Sequence, residues 1–329
     1  MDALRVAVVG TGSAGMHHLR ALRVLEGVRP VAVPLRPARR PELEGMGFET
    51  AESLAQAARL GAKACVVATD TLRHMRDASE ALSLGMDVLV EKPMAPEASQ
   101  VREAWRPFSG SGRKVFVGCV LRFSKSLNRF RELLVEIGPV HSVGVECRSF
   151  LPDWRPQRPY RQSYSARAEE GGVLRDLIHE IDYAGWTFGW PEAAYGLLGS
   201  TGRLGIEAEE WAELVWETPA SAVVSVGLDY LTPAPRRRMC AAGERGTLEW
   251  DVLGQTVTLS LGGRPPSRET LPEGSDALFV RQAEGFVEVL RGGRNSRLAS
   301  LEDGFRALAV CDAVRASSDT HRREVVQGL

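Results

Sequence analysis

The sequence predicts an α/β domain on a parallel sheet, followed by an α+β domain on a largely antiparallel open sheet. Two observations carry this. Residues 1–120 alternate short β-rich runs with helical stretches, the order that lays helices over both faces of a parallel sheet. Beyond residue 121 the texture changes to helix, then an Arg- and Pro-rich loop, then a series of alternating apolar strands with no repeat or low-complexity tract. The expected domains are therefore 1–120 and 121–329, with the last helix placed to pack back on the first domain.

In the first domain, strands are expected at Leu4–Gly10, Pro30–Leu35, Ala64–Thr69, Asp87–Val90 and Val115–Val120. Between them Met16–Leu25, Ser53–Arg59, Leu72–Leu84 and Ala98–Ser109 have helical spacing of apolar residues. Pro30, Pro34, Pro37 and Pro41 make the second strand and its exit irregular, because proline supplies no ladder donor. The second domain opens with an amphipathic helix at Ser126–Ile137 and a strand at Ser142–Phe150. Leu151–Tyr164 follows as a loop whose arginines and aromatics suit function better than a core. A helix is expected from Gly172 to Phe188. Strands then follow at Ala193–Ser200, Trp211–Trp216, Ala222–Leu228, Arg238–Ala242, Gly246–Asp251 and Thr256–Leu261. Helices at Asp276–Arg291 and Leu301–Ser317 finish the chain.

Composition excludes several function classes. Forty-one basic against 42 acidic residues leave a net charge of −1, so no global field gathers nucleic acid or anionic lipid. The five cysteines form no CxxC pair, and neither they nor the six histidines have metal-ligand spacing. No metal is expected. Without an apolar run of about 18 residues or a signal-peptide pattern, a cytoplasmic protein without a membrane partner is expected.

The sharpest local signal is the run from Val6 to Val9 followed by Gly10-Thr11-Gly12-Ser13-Ala14-Gly15, a buried strand leading into GxGxxG and a helix. Gly10 permits the tight turn, Gly12 lets backbone approach a pyrophosphate, and Gly15 lets helix pack close on strand. The free N–H groups of Ser13 and Ala14 at the helix start would face the anion. This is a Rossmann dinucleotide site. After the second strand, where an acidic residue would bind a ribose 2′-hydroxyl, the chain reads Arg36-Pro37-Ala38-Arg39-Arg40. Guanidinium groups there suit a 2′-phosphate, so NADP is favoured over NAD, with Arg36 as first contact and Arg39 or Arg40 in support.

Thr69-Asp70 and His74 follow the next strand, and Glu91-Lys92-Pro93 ends the one after it. Gly118-Cys119-Val120-Leu121-Arg122-Phe123 and Gly171-Gly172 with Asp176 and His179 come later. In these four motifs, in this order, the whole chain resembles the glucose–fructose oxidoreductase, inositol dehydrogenase and rhizopine-catabolism family of NAD(P)-dependent oxidoreductases. The resemblance implies cofactor contacts from Thr69, Asp70, His74, Glu91 and Lys92, and catalysis on sugar-like hydroxyls by Lys92 with His179 and Asp176. The residues agree with it. Hydride transfer at a carbinol carbon needs a group to move the hydroxyl proton, and the carboxyl end of a parallel strand, where Lys92 stands, is where such folds hold ligands. Pro93 confines Lys92 to extended backbone. Asp176, His179 and Asp182 recur at three-residue spacing on the expected helix, giving one face with three ionisable groups among buried leucines and isoleucines.

Many family members separate that Asp and His by four residues, which here would put Arg175 in the aspartate's place. Leu151-Pro152-Asp153-Trp154-Arg155-Pro156, Tyr160 to Tyr164 and the His-Glu-Ile-Asp-Tyr helix resemble a branch associated with bacterial surface-sugar biosynthesis. That implies a pyranose substrate, free or nucleotide- or phosphate-linked. Trp154 and Tyr164 would lie against its ring, and Arg122, Arg158 or Arg161 would answer an anionic group, with Arg175, Asp176 and His179 also lining the site. A homodimer or homotetramer is expected. Two other functions remain open: a ligand-sensing regulator that has given up catalysis, and a reductase of C=C or C=N bonds.

Overall fold

The computed structural model describes residues 3–329. The chain forms two compact units. One is built from the chain up to Ala95 with Ser99–Phe123 and Gly274–Phe305, and the other from Pro96–Ala98, Ser124–Glu273 and Arg306–Leu329.

The first unit carries strands β1 (Leu4–Val9), β2 (Val28–Val33), β3 (Glu49–Thr50), β4 (Ala62–Val67), β5 (Asp87–Val90) and β6 (Val115–Val117). They pair in parallel in the order β6-β5-β4-β1-β2-β3, and Ala299–Ser300 adds an antiparallel edge to β6. The order reverses between β1 and β4, so ligands are held at the carboxyl ends of those strands. Val6, Ala7, Val8 and Val9 are all buried because helices cover both faces, which is why the run does not alternate. Helix α1 (Ser13–Arg23) leaves β1 directly, with α2 (Arg40–Gly45), α3 (Leu54–Arg59) and α4 (Thr71–Ser83) following between later strands. The second strand starts at Val28 and runs through Pro30, earlier than expected. Proline is tolerated there because β3 pairs only with Val31 and Ala32, leaving the outer side of Pro30 without a neighbour.

In the second unit β7 (Val140–Phe150), β8 (Ala193–Gly199), β9 (Trp211–Glu217), β10 (Val223–Asp229), β11 (Leu231–Gly243), β12 (Gly246–Asp251), β13 (Thr256–Leu261) and β14 (Ser267–Thr270) form one sheet with Glu324–Val325 at its edge. Every pairing is antiparallel except β10 with β7. Helix α5 (Ala98–Trp105) begins in this unit and α6 (Lys125–Ile137) lies wholly within it. The indole of Trp250 stands edge-on to Tyr183 at 5.1 Å and donates to Ser126 Oγ at 2.8 Å, so even the polar atom of this core is satisfied.

The expected helix from Gly172 to Phe188 is two helices, α7 (Val173–Asp176) and α8 (Ile178–Phe188). Leu177, at φ −95° and ψ 30°, ends one and starts the other, so Asp176 and His179 do not share a continuous helical face. Spacing alone gives no sign of the break, since Leu177 is a good helix former. Helices α9 (Ser275–Leu290) and α10 (Leu301–Thr320) complete the chain. Among the described residues no helix is long and apolar enough to cross a membrane.

Candidate active site

In the first unit, Gly10 at φ +85° makes a turn no other residue could enter, since a Cβ would lie 2.4 Å from the Ala68 carbonyl oxygen. Gly15 lets α1 touch the turn, where a Cβ would lie 1.9 Å from Gly10 O. Gly12 differs. Nothing lies within 4 Å of a Cβ built there, and Gly12 caps α1 with no side-chain hydrogen bond and no acidic residue in the first turn. The N–H groups of Ser13 and Ala14 begin this helix, so the cradle has open space and free donors where a pyrophosphate would bind. Thr69 Oγ1 is buried without a hydrogen-bond partner among the described residues, a second sign of a polar ligand at these strand ends. Asp70 caps α4 in extended backbone and is exposed. These features fit a dinucleotide.

Arg36 is exposed just past β2. Arg39 reaches the glycine loop, donating to Thr11 O at 3.2 Å, and pairs with Glu42 at 3.0 Å. Arg40 turns away to Glu52 at 2.8 Å.

Lys92 follows β5, half-buried, with a cis bond to Pro93. Its backbone N–H donates to Glu91 Oε2 at 3.2 Å, and Glu91 Oε1 accepts from His18 Nε2 at 2.6 Å. Burial works to raise the Glu91 carboxyl, but the hydrogen bond and charge of His18 with the charge of Lys92 hold it below the ordinary glutamate range. His74 is 2% exposed, its Nδ1 2.9 Å from Pro93 O and its Nε2 3.0 Å from Thr69 O. Arg122 is buried as well and pairs with Asp303 at 3.3 Å.

In the second unit Asp176 is 3% exposed and accepts three hydroxyl hydrogen bonds: from Tyr164 at 2.5 Å, Ser165 at 2.7 Å and Tyr230 at 3.0 Å. Burial first, and then the charge of Asp176, pushes the Tyr164 and Tyr230 phenols well above the ordinary tyrosine value. Trp154 stands edge-on to Tyr230 at 5.4 Å and donates to Ser149 Oγ at 3.0 Å. Past the break at Leu177, His179 on α8 is half-buried and Asp182, three residues further along the same helix, is buried. Arg175 points elsewhere. Its guanidinium donates to the carbonyls of Pro96 at 2.9 Å, Ala168 at 2.9 Å and Gly171 at 3.3 Å, tying the turn at 168–171 to the segment at Pro96. Burial and then the like charge of Arg315 lower its pKa.

The sequence profile of the GFO/IDH/MocA oxidoreductases, described by their NAD-binding Rossmann fold, matches residues 4–119, and that of the C-terminal domain of the same family matches residues 130–249. The chain belongs to this family. As a GFO/IDH/MocA oxidoreductase it is 29% identical over 274 residues to the 2,7-anhydro-N-acetylneuraminate hydratase of Mediterraneibacter gnavus, covering 80% of this chain and 71% of that one. It is 26% identical over 348 residues to the inositol 2-dehydrogenase of Streptomyces avermitilis, covering 98% and 94%. A levoglucosan dehydrogenase in complex with NADH has the same fold, with a TM-score of 0.88 at 16% identity over 100% of both chains.

Three parts of this oxidoreductase escape sequence reasoning. His18 has a local signal, since it lies three residues after Gly15 and so on the same face of α1. Ser165 and Tyr230 have none: they reach Asp176 from a loop and from the junction of β10 with β11, and Tyr230 lies 54 residues further along the chain.

Proposed function

We propose that this oxidoreductase transfers a hydride between a nicotinamide dinucleotide, NADP in preference to NAD, and a carbinol or carbonyl carbon of a sugar, nucleotide sugar or related polyol. The observation that carries the reading is within the first unit: Lys92 at the carboxyl end of β5, in the same sheet whose β1 ends in the open glycine cradle. The bound nicotinamide supplies the hydride acceptor or donor. Gly10, Gly12, Ser13, Ala14 and Gly15 hold its pyrophosphate, Arg36 with Arg39 receives the ribose 2′-phosphate, and Thr69, Asp70, His74 and Glu91 shape the remaining contacts.

Lys92 Nζ takes the hydroxyl proton during oxidation and returns it during reduction. His179 shares that work as a second acid or base. Asp176, with its carboxylate held by three hydroxyls, fixes the loop bearing Tyr164 and so acts through position. Trp154 offers a ring face to a pyranose, and the exposed arginines 158 and 161 offer charge to an anionic substituent. The relatives named for inositol and levoglucosan support a polyhydroxylated substrate over a C=C or C=N bond. The second unit is the substrate-binding part, and the working form is a homodimer or homotetramer.

The test is a panel of free sugars, polyols and nucleotide sugars, followed at the nicotinamide absorbance band with NADP and with NAD. On the best substrate, Lys92→Ala is expected to slow turnover by about 10²–10⁴-fold while dinucleotide affinity stays within a few-fold. Near-normal turnover in that variant removes Lys92 from the chemistry. A panel with no activity in either direction favours a ligand-sensing regulator.

A further inference from the structure

The backbone on either side of Lys92 is held by a buried imidazole, each from a different helix. Ahead of it, His18 on α1 is 1% exposed and donates to the Glu91 carboxylate, whose other oxygen accepts the Lys92 N–H. That carboxylate has little room to move: a Cβ at Gly118 would lie 3.0 Å from it, and Phe279 stands edge-on to the His18 ring at 5.1 Å. Behind it, His74 on α4 spans the carbonyls of Pro93 and Thr69, linking the segment after β5 to the segment after β4. Two buried histidines thus hold residues 91 and 93, on either side of Lys92.

We propose that His18 and His74 are positioning residues that set the placement of the Lys92 ammonium. Neither has to touch substrate to do so. A lysine side chain has four rotatable bonds, and its amine can be held within the fraction of an ångström that proton transfer demands only if its own backbone is fixed. The significance of the proposal rests on Lys92 as the proton carrier, but the bracing itself is a matter of structure and can be tested without any substrate.

The chain contains four lysines, at 63, 92, 114 and 125, and Lys63 and Lys125 are exposed and take no part in either histidine contact. A limiting pulse of acetic anhydride on the full chain, read by mass spectrometry, therefore gives the relative reactivity of Lys92 with two internal references. Side-chain amides separate bracing from bulk. The Nδ2 of asparagine takes the place of histidine Nδ1, and the Nε2 of glutamine that of histidine Nε2. His74→Asn keeps a donor at the Nδ1 position, facing Pro93 O, and has none at the Nε2 position, facing Thr69 O, whereas His74→Gln does the reverse. His18→Gln keeps the donor to Glu91 and His18→Asn loses it.

Lys92 reactivity is expected to change by about two- to tenfold in His74→Gln and in His18→Asn, the factor one hydrogen bond commands, and to stay within about twofold in His74→Asn and His18→Gln. Equal behaviour of the two amides at both positions overturns the proposal. So does loss of fold in all four variants, read by near-ultraviolet circular dichroism, because the histidines would then serve the core alone. Should the crossed pattern hold while Lys92→Ala keeps full turnover, the bracing stands and the acid–base role of Lys92 falls.

Discussion

The Asp176 cluster of the second unit is built around an anion of the protein's own, and the glycine cradle of the first is proposed to receive an anion from a ligand. The cradle is made of backbone, from three residues between β1 and α1 and the first three of α1, and it is open: nothing lies within 4 Å of a Cβ at Gly12. The cluster is made of side chains from three separate segments and is closed, with Asp176 at 3% exposure. A site that must receive a charge keeps free donors and empty space. A site that must hold a charge in place has already spent its donors on it.

The cradle breaks in two different ways. Gly15→Ala puts a methyl 1.9 Å from Gly10 O, a backbone atom that cannot move aside, and is expected to cost about 1–3 kcal/mol of stability or more. Gly12→Ala meets no protein atom, so thermal unfolding should match the parent, while fluorescence titration with NADPH should show affinity reduced by about tenfold or more, as the methyl occupies the approach to the backbone donors. Were Gly12→Ala to bind as the parent does, the open space at α1 would not be the pyrophosphate site.

The closed cluster should respond to charge and to pH. Asp176→Asn keeps the shape but offers an amide to hydroxyls of Tyr164, Ser165 and Tyr230 that had an anion to meet, and is expected to destabilise by about 1–3 kcal/mol in denaturant titration. The sign of the alkaline effect follows from the raised phenols of Tyr164 and Tyr230. In the unfolded chain these tyrosines lose protons near pH 10, while in the folded chain they do not. Their contribution is therefore complete below about pH 10 and is lost as pH rises beyond it. Phenolate absorbance should show Tyr164, Tyr230 and the buried Tyr183, raised by burial and then by Glu180, ionising only as circular dichroism reports unfolding. Smooth ionisation of all five tyrosines before unfolding would mean the cluster is open to water.

Legibility in the sequence follows the same division. The parallel strands, the glycine turn and the Glu91-Lys92-Pro93 strand end are local patterns, and the five expected strands lie within three residues of their bounds, whereas the edge strand β3, only two residues long, is too short to show a pattern. Asp176 and His179 are also visible as residues, but their geometry is not: the break at Leu177 separates them into two helices, and a leucine gives no warning of it. The hub role of Asp176 depends on Tyr230, whose approach is fixed by how β10 and β11 pair, and spacing along the chain carries no such information. Arg175 illustrates the opposite error. As an arginine beside a site it reads as a ligand for substrate, yet its donors are directed at backbone carbonyls, two just before it in the chain and one, of Pro96, that only the folded chain brings near.

The second strand gives the finest comparison, because three neighbouring arginines there differ in what the fold has asked of them. Arg40 is engaged with Glu52, and Arg39 with Glu42 and Thr11 O, so one holds α2 to the chain that follows it and the other holds α2 to the glycine loop. Arg36 is the exposed member, and it is the one proposed to meet the ribose 2′ group. Preference for NADP should therefore depend on Arg36 most, on Arg39 through the shape of the loop, and on Arg40 least. Arg36→Asp is expected to weaken NADPH by about tenfold or more, through loss of a charge-assisted contact and gain of repulsion, while leaving NADH within a few-fold. Arg40→Ala should leave the ratio of the two unchanged. Titration of each variant with both reduced dinucleotides, at fixed ionic strength because the contact is screened by salt, gives the ratio directly. A parent protein that favours NADH, or an Arg36→Asp variant whose preference matches the parent's, would mean that the basic turn after β2 is a solvated loop and that the 2′ group is recognised elsewhere.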